Sequence, residues 1–251
     1  MTDLQQRSSA WHNARRGKLT ASNVGAALGQ VSYVSRQQAF RRALGIDSFV
    51  GNEATEWGTN NEMNGITQYQ ALTGNIVMPT GLHVHKTYSW LAGSPDGLVG
   101  DEGMVEIKCP FYYRRDGSGR LHKQIPGHYY MQINALLEIT ERNWCDYVCW
   151  APEGMVVYRA WRDSDLFNHL LPYYSQFYAA MEAQWDKAPP LSKEARHYIS
   201  EVVDNSMTNH VDLTFWSGVD ANALPPTPIH TDPEDSDDEP PAKRPKNETG
   251  A

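Results

Sequence analysis

Cysteine is scarce in this chain: Cys109, Cys145 and Cys149 are the only three in 251 residues. They cannot all pair with one another, and their spacing lacks the two close Cys/His pairs of a structural zinc site. A cluster held by four cysteines is disfavoured as well, since three are present. The three read as reduced core thiols of an intracellular protein. Long apolar runs are also missing. No stretch approaches a membrane span, and residues 1–10 hold no hydrophobic signal-peptide core. Internal repeats are absent.

Positive charge falls short overall, with a formal net charge of −8. The deficit is uneven. Residues 231–251 hold seven acids and three bases, which gives −4 and leaves −4 for the remainder. Residues 1–42 hold seven bases against Asp3 alone, a local +6, and a second basic stretch runs from Arg114 to Lys123. Phosphate affinity follows local clustering of Lys and Arg more than the whole-chain sum. A groove for nucleic acid is therefore permitted, though not required.

What is present suits one substantial core, with 40% hydrophobic and 11% aromatic residues. We expect a folded domain over 1–223 and a tail over 224–251 that is Pro-rich, then acidic, then basic, and disordered by composition. Within the tail, Lys243-Arg244-Pro245-Lys246 reads either as a nuclear localisation signal, placing the protein in a eukaryotic nucleus, or as a solubilising end.

Periodicity predicts the elements. Residues 11–17 form a helix or turn, then Thr20 or Ser22 caps a short helix over 23–28. Such a helix start, with arginines nearby, is a ready phosphate site. Helices follow over 35–44 and 53–72, the second with a stripe of Ala54, Trp57, Ile66, Tyr69 and Leu72. Glu62 on that helix faces solvent or supplies a carboxylate. Residues 76–84, 90–93 and 104–109 read as three strands of one antiparallel sheet. A helix over 127–137 carries Gln132 among apolar neighbours, and a buried amide there needs a partner. A hairpin pairs 144–151 with 155–161. Asp163 or Ser164 caps a helix reaching Trp185, with Leu166, Leu170, Tyr173, Phe177 and Met181 on one side, and a weaker helix covers 193–204.

The informative stretch is Gly93–Pro110. In a strand, side chains two apart share a face, so Glu106 and Lys108 stand together while Ile107 turns into the core. Folding back across 97–103 brings the Asp96 carboxylate beside Glu106. Two converging carboxylates with an ammonium beside them suit a hard divalent cation and the anion it activates. Ser94-Pro95-Asp96-Gly97 alone is an ordinary β-turn sequence, so the signal lies in the combination.

In order along the chain, five blocks carry a resemblance: Trp11-His12 with Arg15, Gly17 and Thr20-Ala21-Ser22; Trp57-Gly58 with Glu62; Ser94-Pro95-Asp96-Gly97; Glu106-Ile107-Lys108-Cys109-Pro110-Phe111; and Tyr130-Met131-Gln132. Over residues 11–185 the chain resembles the phage lambda-type exonucleases, the viral recombinase branch of the PD-(D/E)XK nucleases. That resemblance implies an α+β, α/β/α restriction-endonuclease-like fold, with a central mixed sheet flanked by helices. It implies a Mg²⁺-dependent 5′→3′ exonuclease, with Mn²⁺ a substitute, acting on 5′-phosphorylated ends of double-stranded DNA and leaving 3′ single strands.

By the same resemblance Asp96 and Glu106 bind metal, with Glu62 and Ile107 in the metal set. Lys108 positions or deprotonates the attacking water, and Gln132 orients it. Arg15, Ser22 and Thr20 grip the terminal phosphate, and Arg114 lies beside the reacting strand. A homotrimeric ring and a single-strand annealing protein are implied as assembly and partner. Arg16, where the family carries an apolar residue, and the segment between Ser22 and Trp57 depart from the pattern. Two other readings share these residues: an endonuclease of the restriction or junction-resolving kind, and a DNA-end-binding module without catalysis.

Overall fold

The computed structural model describes residues 6–47, 51–113 and 119–218. The tail and Arg114 lie outside these residues. In chain order the elements are α1 (Ser9–Arg15), β1 (Leu19–Thr20), a 3₁₀ turn (Ala21–Asn23), α2 (Val24–Ala27), α3 (Arg36–Ala43), α4 (Glu53–Thr73), β2 (Val77–Met78), β3 (His83–Val84), β4 (Leu91–Gly93), β5 (Gly97–Val99), β6 (Gly103–Lys108), α5 (Gly127–Thr140), β7 (Trp144–Ala151), β8 (Gly154–Trp161), α6 (Ser164–Glu182), α7 (Lys193–His210) and β9 (Val211–Gly218). None of the described helices is long and apolar enough to cross a membrane.

A six-stranded mixed sheet, β2-β5-β6-β7-β8-β9, forms the centre. Its β6/β7 pair is parallel, because α5 carries the chain back across the sheet between them. Strand alternation then divides the core into two layers. Met104, Cys145, Tyr147 and Cys149 face α5, on which α6 and α7 pack. Val105, Ile107, Val148 and Trp150 face Ile66 and Tyr69 of α4 on the other side. The fold is the α/β/α arrangement expected from the sequence.

Several expectations need correction. The three strands expected over 76–109 do not form one antiparallel sheet. The first splits into β2 and β3, and β3 joins β4 and β1 in a separate small sheet, with β1 and β4 parallel. The stripe on α4 is narrower than its sequence suggests. Gly65, Ile66 and Tyr69 are buried, whereas Leu72 is 42% exposed where α4 reaches its left-handed Gly74 cap. Neither Thr20 nor Ser22 caps the short helix, since no side-chain bond closes the 3₁₀ turn or α2. α7 runs six residues past 204, and β9 adds an edge strand that periodicity alone did not separate from the chain's end. Asp163 does cap α6, accepting from the Asp165 and Leu166 amides at 3.0 Å each.

The β5/β6 hairpin depends on a bare backbone. A Cβ placed on Gly97 would stand 2.2 Å from Val77 Cγ1 and 3.3 Å from the Met78 carbonyl oxygen. We expect Gly97→Val to push β2 off the sheet edge and to lower stability by about 1–3 kcal/mol, as overpacking does. Urea unfolding followed by circular dichroism measures it, and an unchanged midpoint would contradict this packing.

Candidate active site

The register of the hairpin assembles the site. Gly97 pairs with Val105, so the next position outward sets Asp96 opposite Glu106. Asp96 Oδ2 accepts from the Ile107 amide at 2.6 Å, which fixes the carboxylate against the strand. Glu106 is 2% exposed, and its Oε1 accepts from Lys108 Nζ at 2.7 Å and Gln132 Nε2 at 2.5 Å. Gln132 thus has the partner that its burial demands. Tyr129, one helical turn earlier on α5, presents its ring 4.7 Å from Lys108 Nζ. Sequence reading missed Tyr129, although its i, i+3 spacing from Gln132 was available as a signal.

Electrostatics in this cluster are unbalanced. Burial and the neighbouring Glu106 push the Asp96 carboxyl well above the usual carboxylate range. Burial opposes the charge on Lys108, but Glu106 and Asp96 outweigh it and raise the ammonium above its ordinary value. Glu106 Oε2 is buried and has no hydrogen-bond partner among the described residues. An orphaned carboxylate oxygen beside a second, crowded carboxylate is a donor set that fits a hard divalent cation.

The basic end of the chain forms a second feature. Arg15, near the end of α1, stacks its guanidinium 4.0 Å over the Trp11 ring. It donates to Ser22 Oγ at 3.1 Å and Thr20 Oγ1 at 3.4 Å, and the two hydroxyls lie 3.3 Å apart. Burial lowers the Arg15 guanidinium to about 10, still cationic at neutral pH. The hydroxyls expected to cap a helix are instead turned to the arginine. Trp11 Nε1 in turn donates to Ser94 Oγ at 2.9 Å, tying this pocket to the turn that carries Asp96. A cleft of about 710 Å³ runs from Arg15, Thr20 and Ser22 to Tyr129 and Gln132.

The remaining expected site residues stand apart from these. Glu62 is partly exposed and forms an ion pair with Arg7 at 2.5 Å. Its charge adds to the repulsion felt by Asp96, yet no group of three metal-ligating side chains is gathered among the described residues. Ile107 points into the core, so any part it has in holding a cation falls to its main chain.

Residues 10–143 match the model of the YqaJ-like viral recombinase domain, more than half of the chain. The chain belongs to that family. All the described site residues above, from Trp11 to Gln132, lie inside the YqaJ-like segment. The chain is similar to an uncharacterized protein of Acanthamoeba polyphaga mimivirus, at 29% identity over 178 residues. That match covers 64% of this chain and 31% of the mimivirus protein, so the chain spans about a third of that relative's length. The fold is similar to the crystal structure of an alkaline exonuclease, LHK-Exo, from Laribacter hongkongensis. There the TM-score is 0.58 and the identity 27%, covering 79% of this chain and 99% of that one. The structure of LHK-Exo in complex with dAMP aligns equally well, with a TM-score of 0.59.

Proposed function

We propose that this chain is a metal-dependent 5′→3′ exonuclease that digests linear double-stranded DNA from 5′-phosphorylated ends and leaves 3′ single strands. The observation that carries this reading is the meeting of Asp96, Glu106 and Lys108 around Gln132, which itself lines a cleft that also holds Arg15, Thr20 and Ser22. The similarity to an alkaline exonuclease supports the reaction class. On this reading the 3′ strand passes to a single-strand annealing protein, and a homotrimeric ring would keep the duplex threaded.

Phosphodiester hydrolysis needs a positioned water, charge neutralisation at the phosphorus and help for the leaving oxygen. Asp96 and Glu106 would hold Mg²⁺ or Mn²⁺, which when bound polarises the phosphate and lowers the pKa of a coordinated water. Lys108, pinned by Glu106 and by the Tyr129 ring, places a compact positive charge where negative charge accumulates. From the same position it would orient the attacking water or help to deprotonate it. Gln132 locks Glu106 Oε1 and keeps an amide beside the site to orient water. Arg15 and the two hydroxyls hold a terminal phosphate by charge-assisted bonds, so attack starts at an end.

End-labelled linear duplex and covalently closed circles separate the readings. Linear duplex should be shortened in Mg²⁺ and left intact after chelation, while circles survive both conditions. Cleavage of closed circles would overturn the exonuclease reading in favour of an endonuclease. For the phosphate pocket, Arg15→Ala should reduce the preference for 5′-phosphorylated over 5′-hydroxyl ends by about 10- to 100-fold, the worth of one or two charge-assisted hydrogen bonds. Steady-state rates on the two substrates measure it. An undiminished preference in the variant removes Arg15 from the pocket.

A further inference from the structure

The segment between α2 and α3 lies where the sequence departs from the family pattern, and it contributes Val31, Tyr33 and Val34 to the wall of the basic cleft. Gln30 closes α2 by donating its amide to the Gly25 carbonyl at 2.9 Å. Val31 and Val34 pack against the main core. Ser35 then opens α3 with a capping box, its Oγ accepting from the Gln38 amide at 3.2 Å while its own amide donates to Gln38 Oε1 at 2.9 Å. The segment is therefore held at both ends. Tyr33, between the two valines, is 48% exposed and lines the cleft with Arg15, Thr20 and Ser22.

A half-exposed phenol is an ordinary surface feature on its own. This one ends a row of rings that leads to the reacting centre. The Tyr33 ring meets His128 edge to face, with centroids 6.2 Å apart and planes at 83°. His128 meets Tyr129 at 4.1 Å, and the Tyr129 ring centre lies 4.7 Å from Lys108 Nζ. Burial opposes the Lys108 charge, and Tyr33 is close enough to join Glu106 and Asp96 in outweighing it. The row also has a firm backing. A Cβ on Gly25 of α2 would stand 2.8 Å from His128 Cβ, so α2 and α5 meet there without slack.

We propose that Tyr33 is the stacking partner of the 5′-terminal base. The cleft then takes a whole nucleotide, its phosphate on Arg15, Thr20 and Ser22 and its base against the phenol. The stacking rests on the exonuclease reading only for which end is held; it is itself a binding event. Three features favour it. The cleft's volume of about 710 Å³ falls within the roughly 300–1,000 Å³ of pockets that bury a ligand of nucleotide size. A tyrosine offers a large contact area at small conformational cost. Every base has a π face, so stacking accepts any terminal nucleotide, as digestion through a duplex of arbitrary sequence requires.

The test is a double-mutant cycle in which one of the two changes is made in the DNA. The full chain, Tyr33→Ala and Tyr33→Phe are each titrated, without divalent metal, against 5′-phosphorylated duplexes whose 5′-terminal nucleotide either carries its base or is abasic. Fluorescence anisotropy reads the affinities. On base-bearing ends Tyr33→Ala should bind about tenfold more weakly than the parent, the worth of one base–aromatic stack. Tyr33→Phe keeps the ring and should stay within about twofold of the parent. On abasic ends all three proteins should agree to within about twofold, because none of them has a base to stack.

A loss in Tyr33→Ala that persists undiminished on abasic ends overturns the proposal, because it then belongs to the fold or to the phosphate grip. Equal affinity of the parent and Tyr33→Ala for base-bearing ends overturns it too, as does a loss in Tyr33→Phe as large as that in Tyr33→Ala. Digestion of linear duplex in Mg²⁺ by a parent that shows no such coupling keeps the nuclease reading and removes the stack. Coupling without any digestion does the reverse.

Discussion

Lys108→Ala should lose about 10²- to 10³-fold in kcat on linear duplex, with duplex affinity changed by no more than about threefold. The size follows from removing one preorganised charge from the point where the transition state becomes more anionic. The split between kcat and affinity follows from the architecture. Lys108 Nζ is engaged by Glu106 Oε1 and the Tyr129 ring, whereas the residues that would hold a DNA end sit across the cleft on α1 and the turn after β1. Single-turnover digestion with anisotropy binding separates the two quantities. Near-normal turnover in the variant would remove Lys108 from the chemistry and undo the site assignment. A control for folding is available, because Glu106 retains its bond from Gln132 when the ammonium is gone.

Asp146→Ala should destabilise the fold by about 2–4 kcal/mol, while leaving turnover intact at low temperature. Asp146 is 2% exposed and accepts from Arg159 Nε and Nη2 at 2.8 Å each and from the Tyr69 hydroxyl at 2.6 Å. Removing it takes both carboxylate bonds from Arg159, whose side chain is 27% exposed, and the acceptor from the Tyr69 hydroxyl, which keeps its bond from the Asn75 amide. Breaking one side of such a half-buried pair costs about 2–4 kcal/mol. In a chain of this size the loss corresponds to a fall of roughly 10 °C in Tm. The network lies on the α4 side of the sheet and Glu106 faces α5, so activity and stability separate. Calorimetry alongside digestion at 15 °C reads both. A loss under about 1 kcal/mol would show that the network is not carrying this face.

Much of the site was legible because strand geometry is strict. Period-2 alternation put Glu106 and Lys108 on one face and Ile107 on the other, and a hairpin across 97–103 put Asp96 opposite Glu106, as the register shows. Buried Gln132 asked for a polar partner and found Glu106. What escaped reading depended on partners distant in sequence. Nothing around Glu62 announces Arg7, 55 residues away, and nothing near Ser22 shows that its hydroxyl serves Arg15 rather than a helix start. β9 was lost for a different reason. Val211, Leu213 and Phe215 alternate with Asp212 and Thr214 as a strand should, but the stretch follows a helix directly with no Gly or Pro to mark the change. The Asp146–Arg159 pair was within reach, since the two stand directly opposite each other in the β7/β8 hairpin.

The parallel joint between β6 and β7 has a consequence for how the molecule comes into being. Local hairpins close early, but a parallel pair must wait for its crossover, here α5. Gln132 and Tyr129 ride on that crossover. A nascent chain with β6 outside the ribosome and α5 still in the exit tunnel holds both acids and the lysine but neither of these braces. The site is therefore finished only late in synthesis, once the sheet has closed behind it.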